Sequence, residues 1–474
     1  MRDPRRFLVG GEWRRSEEIA EIRFPYSGEV ADRVYLAGDA DIEDALRSAA
    51  EGFSLTRTLP SHRRSEILYA LADRIHERSP ELVDTIVLEA GKTRTLADGE
   101  VQRARETIEV SAEEARRIDG TILPLDWTEA GEGRVGYLRR FPLGPVLAVT
   151  PFNFPFNLAC HKLGPAIAAG NSVILKPASA TPVSALMLGE MVLKAGFPSC
   201  AISVVPCPAP RAERMVRDDR IAYVSFTGSP DVGWHLKAIS GRKRIGLELG
   251  GNAAVIVHED ADIPHAVSRI AIGGFSNAGQ ICISVQRVFL HRPIYDEALA
   301  LLVDRVRALT TGDPRQPGID IGPMISRAAA SAAYAAVQEA VDKGARVLVG
   351  GTCDGTLFAP TVLVDTTPSM RVNRTEIFAP VITVTPYETF DEAIALANDS
   401  DFGLQAGLFT RDAGRIHRAF SDLRVGGLIV NDISAFRMDH MPYGGVKDSG
   451  LGREGPRYAI HEMTEERLMV YNGS

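Results

Sequence analysis

Short aliphatic runs alternate along this chain with longer stretches in which apolar residues recur every third or fourth position. The first pattern fits buried strands and the second amphipathic helices. The alternation is clearest from Pro145 onward, with strands at 146–150, 172–176, 202–206 and 221–226 and helices at 159–169, 182–195, 211–217 and 232–240. It resumes with strands at 253–257, 285–291, 346–349, 358–364, 381–385 and 426–431 and helices at 263–275, 295–310, 328–343 and 390–398. Buried strands separated by helices argue for parallel, doubly wound sheets, whose ligands bind at the carboxyl ends of the strands. The first set suggests a nucleotide-binding domain, the second another α/β domain.

Helical periodicity at 39–53, 61–77, 81–90 and 95–118 makes the first hundred residues mostly helical. After Asp119 the texture changes to two strands around an acidic, Gly-rich loop, ending near residue 142. Such a ribbon has too little core to stand alone. The expected fold class is α/β: two doubly wound parallel-sheet domains plus a small β oligomerisation ribbon. The boundaries are 1–118 and 143–247 for a cofactor-binding domain, 248–445 for a catalytic domain, and 119–142 with 458–474 for the ribbon and tail.

Composition narrows the field. At 474 residues the chain exceeds one ordinary core. Its net charge of −8, with no dense Lys/Arg run, gives no electrostatic footprint for nucleic acid. The longest apolar region, 143–160, is broken by three prolines and two asparagines, which argues against a membrane span. The apolar run after the basic start is too short for a signal peptide. A cytoplasmic location is expected. Five cysteines, an odd number with no Cys-x-x-Cys pair, argue against a disulfide framework and a structural zinc site, so no metal is expected.

Within this frame Cys282 follows a small, glycine-bearing turn, and 34 residues earlier Glu248 stands beside two glycines. A thiol nucleophile that forms a covalent intermediate needs a base to resolve it. No Gly-x-Gly-x-x-Gly occurs in the first set of strands. Instead Thr227-Gly228-Ser229 opens a helix, which fits a pyrophosphate site and equally a plain helix cap. Lys176-Pro177-Ala178-Ser179, after another strand, adds a cation and a hydroxyl suited to a ribose or phosphate. Together these favour a dinucleotide.

Seven segments, in order, carry a wider likeness: Pro151-Phe-Asn153-Phe-Pro155, Lys176-Pro-Ala178, Phe226-Thr-Gly-Ser229, Glu248-Leu-Gly-Gly251, Gly279-Gln-Ile-Cys282, Glu376-Ile-Phe378-Ala-Pro380 and Pro442-Tyr-Gly-Gly-Val-Lys-Asp-Ser-Gly450. By them the chain resembles the aldehyde dehydrogenase superfamily over essentially its whole length. Phe152 stands where tryptophan is frequent and Ala379 where glycine is frequent. The resemblance implies that Cys282 attacks the aldehyde, that Asn153 and the Cys282 N–H hold the oxyanion, and that Glu248 activates the hydrolytic water. It places Lys176 and Ser179 near the adenosine ribose, Gly228 and Ser229 at the pyrophosphate, and Glu376 and Phe378 at the nicotinamide end. Thr150, Pro151, Leu249 and Gly250 flank the cofactor. Serine at 179, where many NAD-preferring relatives carry glutamate, implies use of NADP with dual specificity for NAD.

His161-Lys162 and the stretch from Phe436 to Pro442 resemble the branch acting on lactaldehyde, glyceraldehyde, glyceraldehyde-3-phosphate, phosphonoacetaldehyde and sulfolactaldehyde. Succinate semialdehyde is a further alternative. Arg103, His161 and Arg437 are the candidate substrate anchors; each is also open to reading as an ordinary salt-bridge residue, and for Arg103 the two readings weigh about equally. A small hydroxylated or anionic aldehyde is expected. The C-terminal tail is expected to pair with a neighbouring subunit near the ribbon, giving a homodimer or homotetramer. Two other classes remain, a coenzyme A-acylating relative, which Glu248 disfavours, and a noncatalytic nucleotide-binding scaffold.

Overall fold

The computed structural model describes residues 3–473. One eight-stranded sheet runs in the order Glu12–Arg14, Phe7–Val9, Ile202–Val204, Val173–Lys176, Val146–Val149, Tyr223–Thr227, Arg244–Glu248, Gly450–Leu451. Its five central strands are parallel, as their uninterrupted aliphatic runs require when helices cover both faces. The chain steps outward from Val146–Val149 through Val173–Lys176 to Ile202–Val204, then returns to lay Tyr223–Thr227 on the other side. That reversal opens a crevice at the carboxyl ends of the strands. Thr150, Lys176, Gly228 and Glu248 all lie at this edge.

A second sheet has seven strands, in the order Arg346–Val349, Thr361–Val364, Val381–Tyr387, Val285–His291, Ala253–Val257, Gln405–Phe409, Gly427–Val430. All neighbours are parallel except the first pair. It has its own core around Val255, Val288 and Val384.

Several elements depart from expectation. Four short strands precede the first helix, Asp39–Thr56, so the chain before residue 39 is not helical. The expected strand 358–364 is two strands, Leu357–Phe358 and Thr361–Val364, split at Pro360, which has no N–H for a ladder. Arg244–Glu248 and Gln405–Phe409 are strands whose apolar runs are interrupted by glycine. Each glycine is there for close approach: a Cβ at Gly246 would lie 2.2 Å from the Tyr223 hydroxyl, and one at Gly407 2.7 Å from the Asp432 carbonyl.

Thr464–Asn472 pairs antiparallel with Arg134–Pro142 of its own chain, from Thr464 opposite Pro142 to Asn472 opposite Arg134. Gly120–Pro124 completes the three-stranded sheet. Its apolar side chains are left in solvent, Trp127 at 88% exposure and Ile122 at 67%. No helix among the described residues is long and apolar enough to cross a membrane.

Candidate active site

A cavity of about 610 Å³ lies along the crevice and is walled on its far side by the second sheet's loops. Cys282, Glu248 and Asn153 all line it. The approach to Cys282 is backbone-strained: Asn277 and Ala278 take φ values of 52° and 53°, followed by Gly279 at 68°. Left-handed geometry is unfavourable for alanine and persists only where surroundings enforce it. The Glu376 loop packs against the end of this turn, since a Cβ at Gly279 would lie 2.1 Å from the Ala379 carbonyl. Phe378, on that loop, is itself left-handed at φ 53°.

Cys282 is partly buried, its Sγ 2.8 Å from the Tyr443 hydroxyl. Burial pushes the thiol up to about 12, against the pull of the Tyr443 hydrogen bond and the Arg437 charge. Glu248 is buried, and its Oε2 has no hydrogen-bond partner. Burial, reinforced by the nearby Glu454 charge, raises its carboxyl well above the ordinary range. Asn153 Nδ2 donates to the Gln280 carbonyl at 3.0 Å, tying its amide to the cysteine loop. A thiol, an amide donor and a neutral carboxyl thus line one cavity.

On the crevice side Thr150, Pro151, Lys176, Gly228, Ser229, Leu249, Gly250, Glu376 and Phe378 all line the same cavity. Ser179 does not; Ala178 lines it, and Ser179 lies exposed one residue further on. Ser229 is the N-cap of Pro230–Ile239 yet makes no capping hydrogen bond, so its hydroxyl is not spent on its own helix. Lys176 is buried, and its ammonium has no hydrogen-bond or ion-pair partner among the described residues. Glu376 accepts the Gly251 N–H at 2.9 Å, and burial lifts its carboxyl to about 7. Gly250 makes room for it, because a Cβ there would lie 2.4 Å from the carboxylate. Phe152 meets Phe378 edge-on at 5.9 Å.

The opposite side is built of charge. Arg103 and Arg437 line the cavity; His161 does not. Arg103 forks onto Asp439 with contacts of 2.9 and 2.8 Å, and His161 Nε2 lies 2.7 Å from the same carboxylate. Burial would raise Asp439, but His161 and Arg103 outweigh it and hold the carboxyl far below its usual range. Burial lowers His161, which is therefore a neutral donor to Asp439. Arg437 stacks 3.7 Å over the Tyr443 ring and reaches Glu454 at 3.3 Å, while its buried Nε has no partner. Glu454 also accepts Lys162 Nζ at 2.9 Å. Burial opposes its ionisation, but Lys162 and Arg437 bring it down to about 2.

Tyr443, Asp439, Glu454 and Lys162 were not among the expected site residues. Three of the four stand inside or beside quoted motifs, but only the fold joins them to positions some 160 to 340 residues away.

An α/β enzyme with a cofactor crevice at a topological switch point and a thiol on the facing wall is the class that this fold defines. The aldehyde dehydrogenase family model matches residues 13–469, and the chain belongs to that family and is an oxidoreductase. It is 44% identical over 465 residues to 3-sulfolactaldehyde dehydrogenase of Priestia aryabhattai, covering 98% of this chain and 97% of that protein. Aldehyde dehydrogenase 21 from Physcomitrella patens, solved with its reaction product succinate, matches at TM-score 0.98 and 38% identity over 99% of each chain. NADP-dependent glyceraldehyde-3-phosphate dehydrogenase from Bacillus halodurans, solved with NADP, matches at TM-score 0.97 and 35% identity over 100% of each.

Proposed function

We propose that this chain oxidises a short aldehyde bearing an anionic head group to its carboxylic acid, using NADP or NAD, with Cys282 as nucleophile. The observation that carries the substrate class is the interlocked cluster of charges that builds the Arg103–Arg437 side of the cavity. Three cations, Arg103, Arg437 and Lys162, face two ionised carboxylates, Asp439 and Glu454, while Glu248 and His161 are held neutral. One positive charge is left over in a poorly solvated place, and an anionic substrate would balance it. The sulfonated and carboxylated molecules named for the relatives above share that chemistry. His161 acts through Asp439, as a positioning residue for Arg103.

In this reading the Cys282 thiol first gives up its proton to solvent by way of the Tyr443 hydroxyl, and the thiolate so formed attacks the carbonyl carbon. Asn153 Nδ2 exchanges the Gln280 carbonyl for the developing oxyanion, joined by the Cys282 N–H. The nicotinamide cofactor supplies the hydride acceptor. Glu248, once deprotonated, takes a proton from the water that cleaves the thioester on Cys282.

Lys176, Ser229, Glu376 and Phe378 would hold the cofactor, with Thr150, Pro151, Gly228, Leu249 and Gly250 shaping the crevice and Ser179 at its rim. The unpartnered ammonium of Lys176 fits a 2′-phosphate. The carboxylate of Glu213 in the same lining lies 3.2 Å from His235. We further assign residues 1–118 and 143–247 to cofactor binding, 248–445 to catalysis, and the ribbon with its exposed apolar side chains to assembly into a homodimer or homotetramer in the cytoplasm.

Following reduced-cofactor absorbance without coenzyme A, with NAD and NADP each crossed against sulfolactaldehyde, succinate semialdehyde, glyceraldehyde-3-phosphate and lactaldehyde, tests the reading. Acid formation favouring an anionic aldehyde supports it. Turnover only when coenzyme A is added would replace hydrolysis by acyl transfer.

A further inference from the structure

The loop that carries Glu376 has little regular structure of its own. It leaves the short helix Arg371–Arg374, runs through 375–380 and enters the strand Val381–Tyr387. Glu376 and Phe378 on it line the cavity. A carboxylate meant to meet a ligand at a fixed place needs its backbone held from elsewhere.

Gln286 supplies that hold. It stands on Val285–His291, the middle strand of the seven-stranded sheet, four residues after Cys282. Its side chain is buried, where an amide is costly unless its donors and its acceptor are used. Oε1 accepts the Ile377 N–H at 3.0 Å, while Nε2 donates to the Thr375 carbonyl at 2.7 Å and to the Val372 carbonyl at 2.9 Å. Only one orientation of the amide works, since the N–H needs an acceptor and the two carbonyls need donors. Thr375 and Ile377 are the residues on either side of Glu376. The Glu376 side chain is caught separately, by the Gly251 N–H. The neighbouring Arg287 makes an instructive contrast: it gives its donors to the Asn252, Leu396 and Ala397 carbonyls, and none of these residues lines the cavity.

We infer that Gln286 is a positioning residue for the oxidation, fixing the backbone on both sides of Glu376 so that its carboxylate meets the nicotinamide end of the cofactor in the geometry that hydride transfer needs. The inference rests on the reading of Glu376 as a cofactor ligand. Gln286 touches neither substrate nor cofactor and acts through the loop. Lys176 and Ser229 hold the other end of the cofactor from the first sheet, so overall affinity should barely depend on Gln286. Placement of the reacting end should depend on it strongly.

The test compares Gln286→Met, Glu376→Gln and the double variant with the unaltered protein. Calorimetry gives the affinity for NADPH, and the fluorescence lifetime of bound NADPH reports on its nicotinamide half. Gln286→Met should bind NADPH with nearly unchanged affinity and shift the lifetime in the same direction as Glu376→Gln. The single-turnover rate of cofactor reduction should fall roughly 10- to 100-fold, the scale of a small misplacement, with little change in KM for the aldehyde. In the cofactor-free protein, amide hydrogen exchange over 371–379 should quicken roughly tenfold. The double variant should be no worse than Glu376→Gln, because both losses act through one carboxylate. Gln286→Glu keeps the side-chain shape but sets an acceptor against two carbonyls; it should shift these measurements the same way and decides the matter where Gln286→Met does not fold. An unshifted lifetime in Gln286→Met beside a shifted one in Glu376→Gln, fully additive losses in the double variant, or loss of the fold in both Gln286 variants would overturn the inference alone. An unshifted lifetime in Glu376→Gln itself would overturn the reading of Glu376 and the inference with it.

Discussion

The two sides of the Cys282 cavity are constructed on different principles. The crevice side is made of strand ends and main chain: Thr150, Gly228, Ser229 and Gly250 contribute backbone or small side chains, and Lys176 is a buried cation without a hydrogen-bond or ion-pair partner among the described residues. The other side is a lattice of buried charges in which Arg103, Asp439, His161, Arg437, Glu454 and Lys162 each hold the next. Main chain at strand ends gives a surface shared by any dinucleotide, whereas interlocked charges select a particular head group. Specificity for the aldehyde should therefore be changed by single substitutions, and discrimination between NADP and NAD chiefly at Lys176.

The boundary between the two sides gives the largest expected effects. Cys282→Ala should lower kcat by more than about 10⁴-fold, as loss of a nucleophile does elsewhere, while fluorescence titration still shows cofactor binding. Retained turnover would remove the basis for comparing the sides at all. Asn153→Ala should lower kcat by about 10²- to 10³-fold, the usual cost of one oxyanion donor, measured under saturating aldehyde and cofactor.

Effects on one side alone come next. Arg437→Gln should raise KM for an anionic aldehyde roughly 10- to 100-fold, from the loss of a charged hydrogen bond, while cofactor affinity is unchanged. Lys176→Met should weaken NADP about tenfold, again the scale of a charged hydrogen bond, and leave NAD and the aldehyde nearly unaffected. A change in both ligands from either substitution would mean that the two sides are energetically one.

The smallest effect is in pH. Burial raises both Cys282, to about 12, and Glu248, and both must lose a proton to act. Groups with raised pKa values are protonated at neutral pH, so kcat/KM should climb as pH rises through the alkaline range. In Glu248→Gln, single-turnover measurements should keep the Cys282 part of the rise while thioester hydrolysis becomes slow.

The same contrast explains what was legible in the sequence. Both parallel sheets follow from aliphatic runs, and the crevice residues occupy contiguous motifs because strand ends and the loops after them are contiguous in sequence. The strands at Arg244–Glu248 and Gln405–Phe409 were hidden by glycines whose reason is a neighbour close in space. The charged side was legible only as separate residues. Arg103 and Arg437 stand out as cations, but Asp439, which binds both Arg103 and His161, is 336 positions from the first and 278 from the second. His161 was expected at the substrate and lies outside the lining of the cavity, because its helix, Asn157–Ala169, is buried along its whole length. The tail's pairing with its own chain's ribbon was likewise a matter of register, nine paired residues joining segments far apart in sequence.

The most direct test of an anion-selecting wall is kcat/KM for 3-sulfolactaldehyde against lactaldehyde, which differ by the sulfonate, in the unaltered protein and in Arg437→Gln. The sulfonated aldehyde should be preferred at least about tenfold, the scale of one charged hydrogen bond, and the substitution should bring the two near parity by lowering only that rate. Equal rates in the unaltered protein, or an equal fall for both aldehydes in Arg437→Gln, would contradict the account and make the buried charges a structural device alone.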